Sequence, residues 1–212
     1  MVLKSYFAMS QQSNLGNWLI VFGNKEINEK INWHHEVQYR NYDAIGDLEQ
    51  LLIRTGIGYN LTQNTNLLGG YGYILSDNYI ANSNTKIDFE EHRIYQQLII
   101  KNRINKLSVQ HRYRFEQRFF GSDRPDQFKL RFRYFINMNL PITHFPNGRQ
   151  LYLSAYNEVF LNTEGIIFDR NRLYGGLGFK LNKSLKFEIG YMNQLFTNSG
   201  RDQLNVVTFI NW

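Results

Sequence analysis

Residues 107–120 and 128–140 each separate into two faces when every second residue is taken. In the first segment Leu107, Val109, Tyr113, Phe115 and Phe119 alternate with Gln110, Arg112, Arg114, Glu116 and Arg118, and only His111 and Gln117 interrupt the apolar face. The second repeats the split, with Phe128, Leu130, Phe132, Tyr134, Ile136, Met138 and Leu140 set against Lys129, Arg131, Arg133, Asn137 and Asn139. Successive side chains of a β-strand point to opposite faces, so this alternation builds one apolar wall and one charged wall. Long strands that are aromatic on one face and arginine-rich on the other suit a transmembrane antiparallel up-and-down β-barrel, with lipid outside and a polar lumen inside.

The same period of two marks strands over 15–24, 31–42, 50–62, 66–76, 89–104, 107–120, 127–140, 150–162, 170–182, 184–196 and 203–212. In 50–62, Leu51, Ile53, Ile57, Tyr59 and Leu61 oppose Arg54, Gly56, Gly58 and Asn60. Around Ile94 to Ile100 both faces are apolar or amide, so the facing there stays open. Connections alternate between short (near 62–65, 102–106 and 182–184) and longer ones (near 41–49, 76–88, 121–126, 162–169 and 197–202), as an outer-membrane barrel requires. The link Pro141–Arg149 breaks this pattern, and Pro141, Pro146 and Gly148 are expected to stop the strand there, since proline lacks a ladder donor. Single-chain bacterial barrels have even strand numbers, so the eleven visible segments imply ten or twelve strands, with twelve preferred and a further strand sought near Asn78–Asp88. Gly69, Gly70, Gly72, Gly175, Gly176 and Gly178 either bend the wall or make room for large lumen side chains.

Bulk properties agree with an envelope barrel. Mean hydropathy is −0.46, but alternation hides the membrane signal of a barrel. No run approaches the ~18–20 apolar residues of a membrane helix. Aromatics at 16% suit a lipid-facing wall with interfacial girdles. Cysteine is absent, which excludes a disulfide framework and thiolate metal sites. The net charge of +6 resides largely at alternate strand positions rather than on one exposed patch, which argues against nucleic acid as partner. Residues 1–10 read as a signal-peptide remnant with Ala8-Met9-Ser10 as its cleavage region, or as a short N-terminal arm, ahead of a single domain over 11–212. The last strand alternates through Leu204, Val206, Thr208, Ile210 and Trp212, and an aromatic end of this kind marks Trp212 as a membrane-assembly signal for the barrel-assembly machinery.

HRYRFEQRF (111–119), RFRYF (131–135), Pro141, NEVF (157–160), FDRNRLYGGLG (168–178) and YMNQ (191–194), in this order, resemble a family of small bacterial outer-membrane barrels. The family is catalogued as domain of unknown function 2490 and is common in Bacteroidota. The resemblance runs over 17–212 and implies a barrel in the outer membrane of a Gram-negative bacterium. It carries no reaction with it.

The candidate functional residues are a lumen charge network: Arg112, Arg114, Glu116, Arg118, Lys129, Arg131 and Arg133 on two neighbouring strands, joined by Glu158, Arg170, Arg172 and Glu188. Charges buried without partners cost several kcal/mol each, so these must meet water, anions or acids from across the lumen. Glu36, Glu158 and Glu188 have the matching parity, Glu91 and Arg93 share it, and a Glu158–Arg172 contact is expected between sequential strands. The network either plugs the barrel or lines a narrow anion-favouring pore. His34 and His35, adjacent in a strand, face opposite walls and cannot share a metal. No metal or cofactor is expected. Two further readings stand beside a monomeric, non-enzymatic barrel surrounded by outer-membrane lipid. One is a lipid-modifying acyl hydrolase or transferase, which needs Ser, His and acid side chains to converge. The other is a soluble lipocalin-like barrel with an apolar interior.

Overall fold

The computed structural model describes residues 15–43, 46–80, 83–121 and 127–212. Every alternating segment is a strand: β1 (Leu15–Glu26), β2 (Ile31–Asn41), β3 (Leu48–Asn60), β4 (Thr65–Tyr79), β5 (Lys86–Ile104), β6 (Leu107–Phe120), β7 (Phe128–His144), β8 (Gln150–Asn162), β9 (Phe168–Lys180), β10 (Leu185–Leu195) and β11 (Gly200–Asn211). Neighbours in sequence pair antiparallel, and β1 closes the barrel on β11.

That closing pair is parallel, with Leu19 beside Val206 and Phe22 beside Phe209. The expected ten or twelve strands, with twelve preferred, are therefore corrected to eleven among the described residues. A chain of antiparallel hairpins reverses direction at every strand, so an odd number leaves the first and last strands running the same way, and only a parallel ladder can join them. The stretch Asn78–Asp88 holds the ends of β4 and β5, which pair as far as Tyr79 with Lys86, and no extra strand among the described residues. The expected signal remnant at 1–10 lies outside the described residues.

Pro141 does not end β7. The ladder shifts register between Pro141 and Thr143 and continues to His144 opposite Gln150. A bulge accommodates the missing donor, and the strand resumes beyond it. A 3-10 turn at Pro146–Gly148, with Asn147 at φ 64°, then makes this link short like the others at that end. Asn28 Oδ1 accepts from the backbone N–H of Lys30 and Ile31, and Asn182 Oδ1 accepts from Ser184 and Leu185, so both asparagines serve as turn formers. The opposite end carries the links 42–47, 80–85, 121–127, 163–167 and 196–199 and is called the mouth below. The link at 80–85 is shorter than the sequence suggests, because β4 and β5 pair as far as Tyr79 with Lys86.

Alternation sends the charged wall inward. Arg114, Glu116, Arg54 and Glu158 are buried, while Leu19, Ile53, Leu153 and Ile189 are exposed on the outside. The apolar interior of a lipocalin-like barrel is therefore not what this chain builds. The open facing in β5 resolves with Tyr95 and Gln97 inward and Ile94 and Gln96 outward. Inward glycines lie under large lumen side chains: a Cβ on Gly70 would meet the Tyr95 ring at 2.6 Å, and one on Gly178 the Tyr152 ring at 2.1 Å. Gly69 and Gly175 face outward with nothing near them. Beside the closing seam the lumen wall is apolar, where Trp18, Ile20, Tyr174, Met192 and Val207 pack together against Phe22, Tyr156 and Phe209.

Candidate functional site

On the mouth side of the lumen lies a belt of charge. Among the described residues it takes Arg40 from β2, Arg54 from β3, Arg93 from β5, Arg112, Arg114 and Arg118 from β6, Arg131 and Arg133 from β7, and Arg170 and Arg172 from β9. Against these ten arginines stand five carboxylates: Glu36, Glu91, Glu116, Glu158 and Asp169. Strand parity causes this convergence, because each of these positions except Asp169 shares the inward phase of its strand.

Glu116 is the hub. It is fully buried and accepts from Arg131 at 2.6 Å and Arg133 at 2.6 Å, with Arg54 and Arg114 both 3.8 Å away. Glu158 is the second hub, 2.6 Å from Arg133 and 2.7 Å from Arg112. Its contact with Arg172 exists as expected, but at 3.8 Å it is the loosest of the three. Glu91 holds Arg93 at 2.5 Å and Arg118 at 2.6 Å. Asp169 bridges Arg131 and Arg170.

Carboxylates alone do not account for the belt. Among the described residues no acid lies within ion-pair distance of Arg40; it donates to Gln38 and Gln50 and stacks 3.8 Å above Trp18. Arg114 donates to Gln97 at 2.6 Å and lies 4.7 Å from the Tyr95 ring. Arg172 donates to Gln194 and sits between Trp18 and Phe160, at 4.8 and 4.6 Å. Aromatic faces attract a guanidinium through the ring quadrupole, and the planar, weakly hydrated guanidinium tolerates that environment better than an ammonium would. The partners of these arginines are therefore acids, amides and aromatic rings. Arginine stays charged in proteins. Two like charges ~8 Å apart at an effective dielectric near 20 repel by about 2 kcal/mol, so five more cations than anions make a strongly anion-attracting interior.

The belt leaves a cavity of about 200 Å³ at its mouth side, with Arg40, Arg93, Arg118, Arg170 and Arg172 in its walls and Phe89, Phe120 and Phe160 between them. Glu49 and Glu91 are the acids of the wall, and Glu49 is held by Arg201 at 2.7 Å.

Of the residues singled out from the sequence, Arg112, Arg114, Glu116, Arg118, Arg131, Arg133, Glu158, Arg170 and Arg172 come together in the belt. Lys129 lies across from Arg118 on the neighbouring strand, at the same end. Glu188 does not join them: it accepts from the Tyr152 hydroxyl at 2.8 Å, near the end away from the mouth. Parity alone placed it with the arginines, but it stands too far along the lumen. Trp212 lies on the closing seam, where its N–H donates to the Asn24 carbonyl, its carbonyl accepts from Glu26, and its ring rests 5.0 Å from His35. Arg40, Gln97 and the aromatic platforms were missed, although Glu36, Gln38 and Arg40 share one phase of β2 and carry the signal.

The histidines are dispersed. His34 lies inward near Glu36, and His35 lies outward against Trp33 and Trp212, on opposite walls as expected. His92 meets Tyr71, His111 meets Tyr134 and His144 meets Gln150. Ser154 is buried inside the lumen. Among the described residues no three metal-ligating side chains gather.

A family model described as "Protein of unknown function (DUF2490)" matches residues 15–205. An uncharacterised protein of Methylorubrum extorquens is 30% identical over 164 residues, covering 75% of this chain and 69% of the relative. No solved structure matches.

Proposed function

The chain belongs to the family described as protein of unknown function (DUF2490), and from that premise we propose that it is a non-enzymatic outer-membrane β-barrel of a Gram-negative envelope, closed to free passage by its own lumen network. One observation carries the reading: large apolar side chains cover the outside of the whole ring. Leu19, Val37, Ile53, Leu67, Leu153, Leu173, Ile189 and Val206 are all exposed, and they come from strands all around it. Soluble monomers rarely expose a contiguous apolar patch above a few hundred Å², whereas lipid covers such a belt at no cost. Trp33, His35 and Trp212 cluster at the turn end, where an aromatic girdle meets the interface.

Closure is supported by the inward side chains. Arg114, Tyr95, Phe160, Met192 and Glu116 are fully buried inside the ring. Narrow barrels are filled by their side chains, and open channels belong to much wider ones. The protein then resides as a monomer among outer-membrane lipids, delivered by the barrel-assembly machinery. The arginine excess favours a second reading, a narrow anion-selective leak. Cell fractionation and planar-bilayer recording of the refolded protein test both. The closed reading expects the protein in the outer-membrane fraction and a silent bilayer. Stable anion-selective steps that shrink on Arg114→Glu would establish the leak instead, and recovery in the soluble fraction would sink the membrane assignment.

A further inference from the structure

The mouth cavity faces water, its walls are cationic, and the five acids of the belt are already shared among its arginines. We propose that this cavity is a binding site for a compact, multiply charged oxyanion of the phosphate or diphosphate class, held by Arg40, Arg93, Arg118, Arg170 and Arg172. The proposal rests on the closed-barrel reading above and names the ligand chemistry that such a barrel would take.

Four features specify the ligand. The wall is built from arginine, whose planar fork holds oxyanions through paired N–H groups. Arginines line the cavity from β2, β5, β6 and β9, with the Nε edges of Arg93 and Arg118 resting on Glu91 and that of Arg170 on Asp169, so a ligand among them must present oxygens in several directions, which a tetrahedral phosphate does and a flat carboxylate does not. One wall arginine is under-compensated: Arg40, 7% exposed, has only amide and ring partners among the described residues. Finally, about 200 Å³ is below the usual range for drug-sized ligands, so the site suits a phosphate or diphosphate group rather than a whole lipid.

The source of that group follows from the wall. Every pair of neighbouring strands is hydrogen-bonded, including the β1–β11 seam, so nothing enters sideways from a bilayer. The ligand comes down the axis from the aqueous side of the mouth.

The test is titration calorimetry of the full chain, folded in detergent, with sodium pyrophosphate as the probe and orthophosphate, sulfate and chloride as comparators. We expect pyrophosphate to bind at least tenfold more tightly than chloride, with affinity falling steeply as salt rises. Arg40→Gln with Arg172→Gln should weaken it tenfold or more, and Arg40→Lys, which keeps the charge but loses the fork, should weaken it by less. Heat-modified mobility on a gel verifies that each variant is a folded barrel, and a pyrophosphate-dependent rise in the melting temperature reports binding independently. Pyrophosphate binding no tighter than chloride, or binding indifferent to the arginine substitutions in folded barrels, would overturn the site. A response confined to vesicles bearing phosphorylated lipid headgroups would overturn the aqueous source. Insertion into vesicles is scored separately, so a barrel that inserts but binds nothing refutes this site and leaves the membrane reading standing.

Discussion

Glu116→Gln is the most informative single change in this barrel. The carboxylate is fully buried and takes three charge-assisted hydrogen bonds, from Arg131 Nε at 2.9 Å, Arg131 Nη2 at 2.6 Å and Arg133 Nη1 at 2.6 Å. Glutamine keeps the size and one acceptor oxygen but turns an NH₂ donor towards a guanidinium. The negative charge is lost beside four arginines, and none of them can deprotonate in response. Breaking a buried pair from one side costs about 3–5 kcal/mol, because it leaves the partner charge uncompensated. That loss is read as a shift in the urea midpoint of the barrel folded in vesicles, multiplied by the denaturant slope. Glu29→Gln, in an exposed turn, serves as control and should stay within about 0.5 kcal/mol of the parent. Combining Glu116→Gln with Arg133→Gln should recover part of the loss, because it removes one of the stranded cations, and the double-mutant cycle measures that coupling. A Glu116→Gln effect of about 1 kcal/mol or less, the range of a solvent-exposed pair, would refute the idea that the belt is a desolvated network.

Three further outcomes follow from the geometry. Leu19→Cys with Val206→Cys, introduced into a chain that has no cysteine of its own, should form a disulfide across the parallel seam and shift the gel mobility of the unfolded protein; a ring with a twelfth strand between them would leave both thiols free. Ile189→Arg, on the outer wall at 61% exposure, should lower stability in a bilayer by about 2–4 kcal/mol if the position lies near the midplane, whereas an unchanged midpoint would count against lipid on that face. Gly70→Ala should destabilise the barrel although alanine suits a strand better than glycine, since its Cβ would stand 2.4 Å from the Thr55 carbonyl and 2.6 Å from Tyr95; a stabilised variant would show that Tyr95 is not packed as described.

The walls were legible because they rest on a period that the residues themselves display. Phe115, Glu116 and Gln117 need no partner strand to declare which way they face once the phase of β6 is known. The lumen network was legible only in part, since parity gives a direction and leaves height along the barrel undetermined. Glu158 and Glu188 share a phase, yet one meets Arg112 and Arg133 while the other meets Tyr152. Height depends on the stagger of each ladder, which is a property of pairs of strands. The apolar sector beside the seam was harder still: in β1 both Ile20 and Val21, and in β11 both Val206 and Val207, are apolar, so the contrast between faces disappears where the ring closes.

The odd strand number and the surplus of arginine bear on one another at the seam. In the parallel ladder Trp18 lies beside Asn205, Ile20 beside Val207 and Phe22 beside Phe209, so the two terminal strands bring their apolar residues to the same side of the lumen. That sector carries no charge of its own, and the arginines of β2 and β9 lean onto it: Arg40 and Arg172 share the Trp18 ring from opposite sides of the closure. Without that aromatic platform Arg40 would need a carboxylate and Arg172 would have only its 3.8 Å contact with Glu158, which Arg112 and Arg133 already share. The seam therefore does more than close the ring. It provides neutral partners for cations and so keeps the mouth cavity's positive charge from being cancelled, which is the condition an anion site requires.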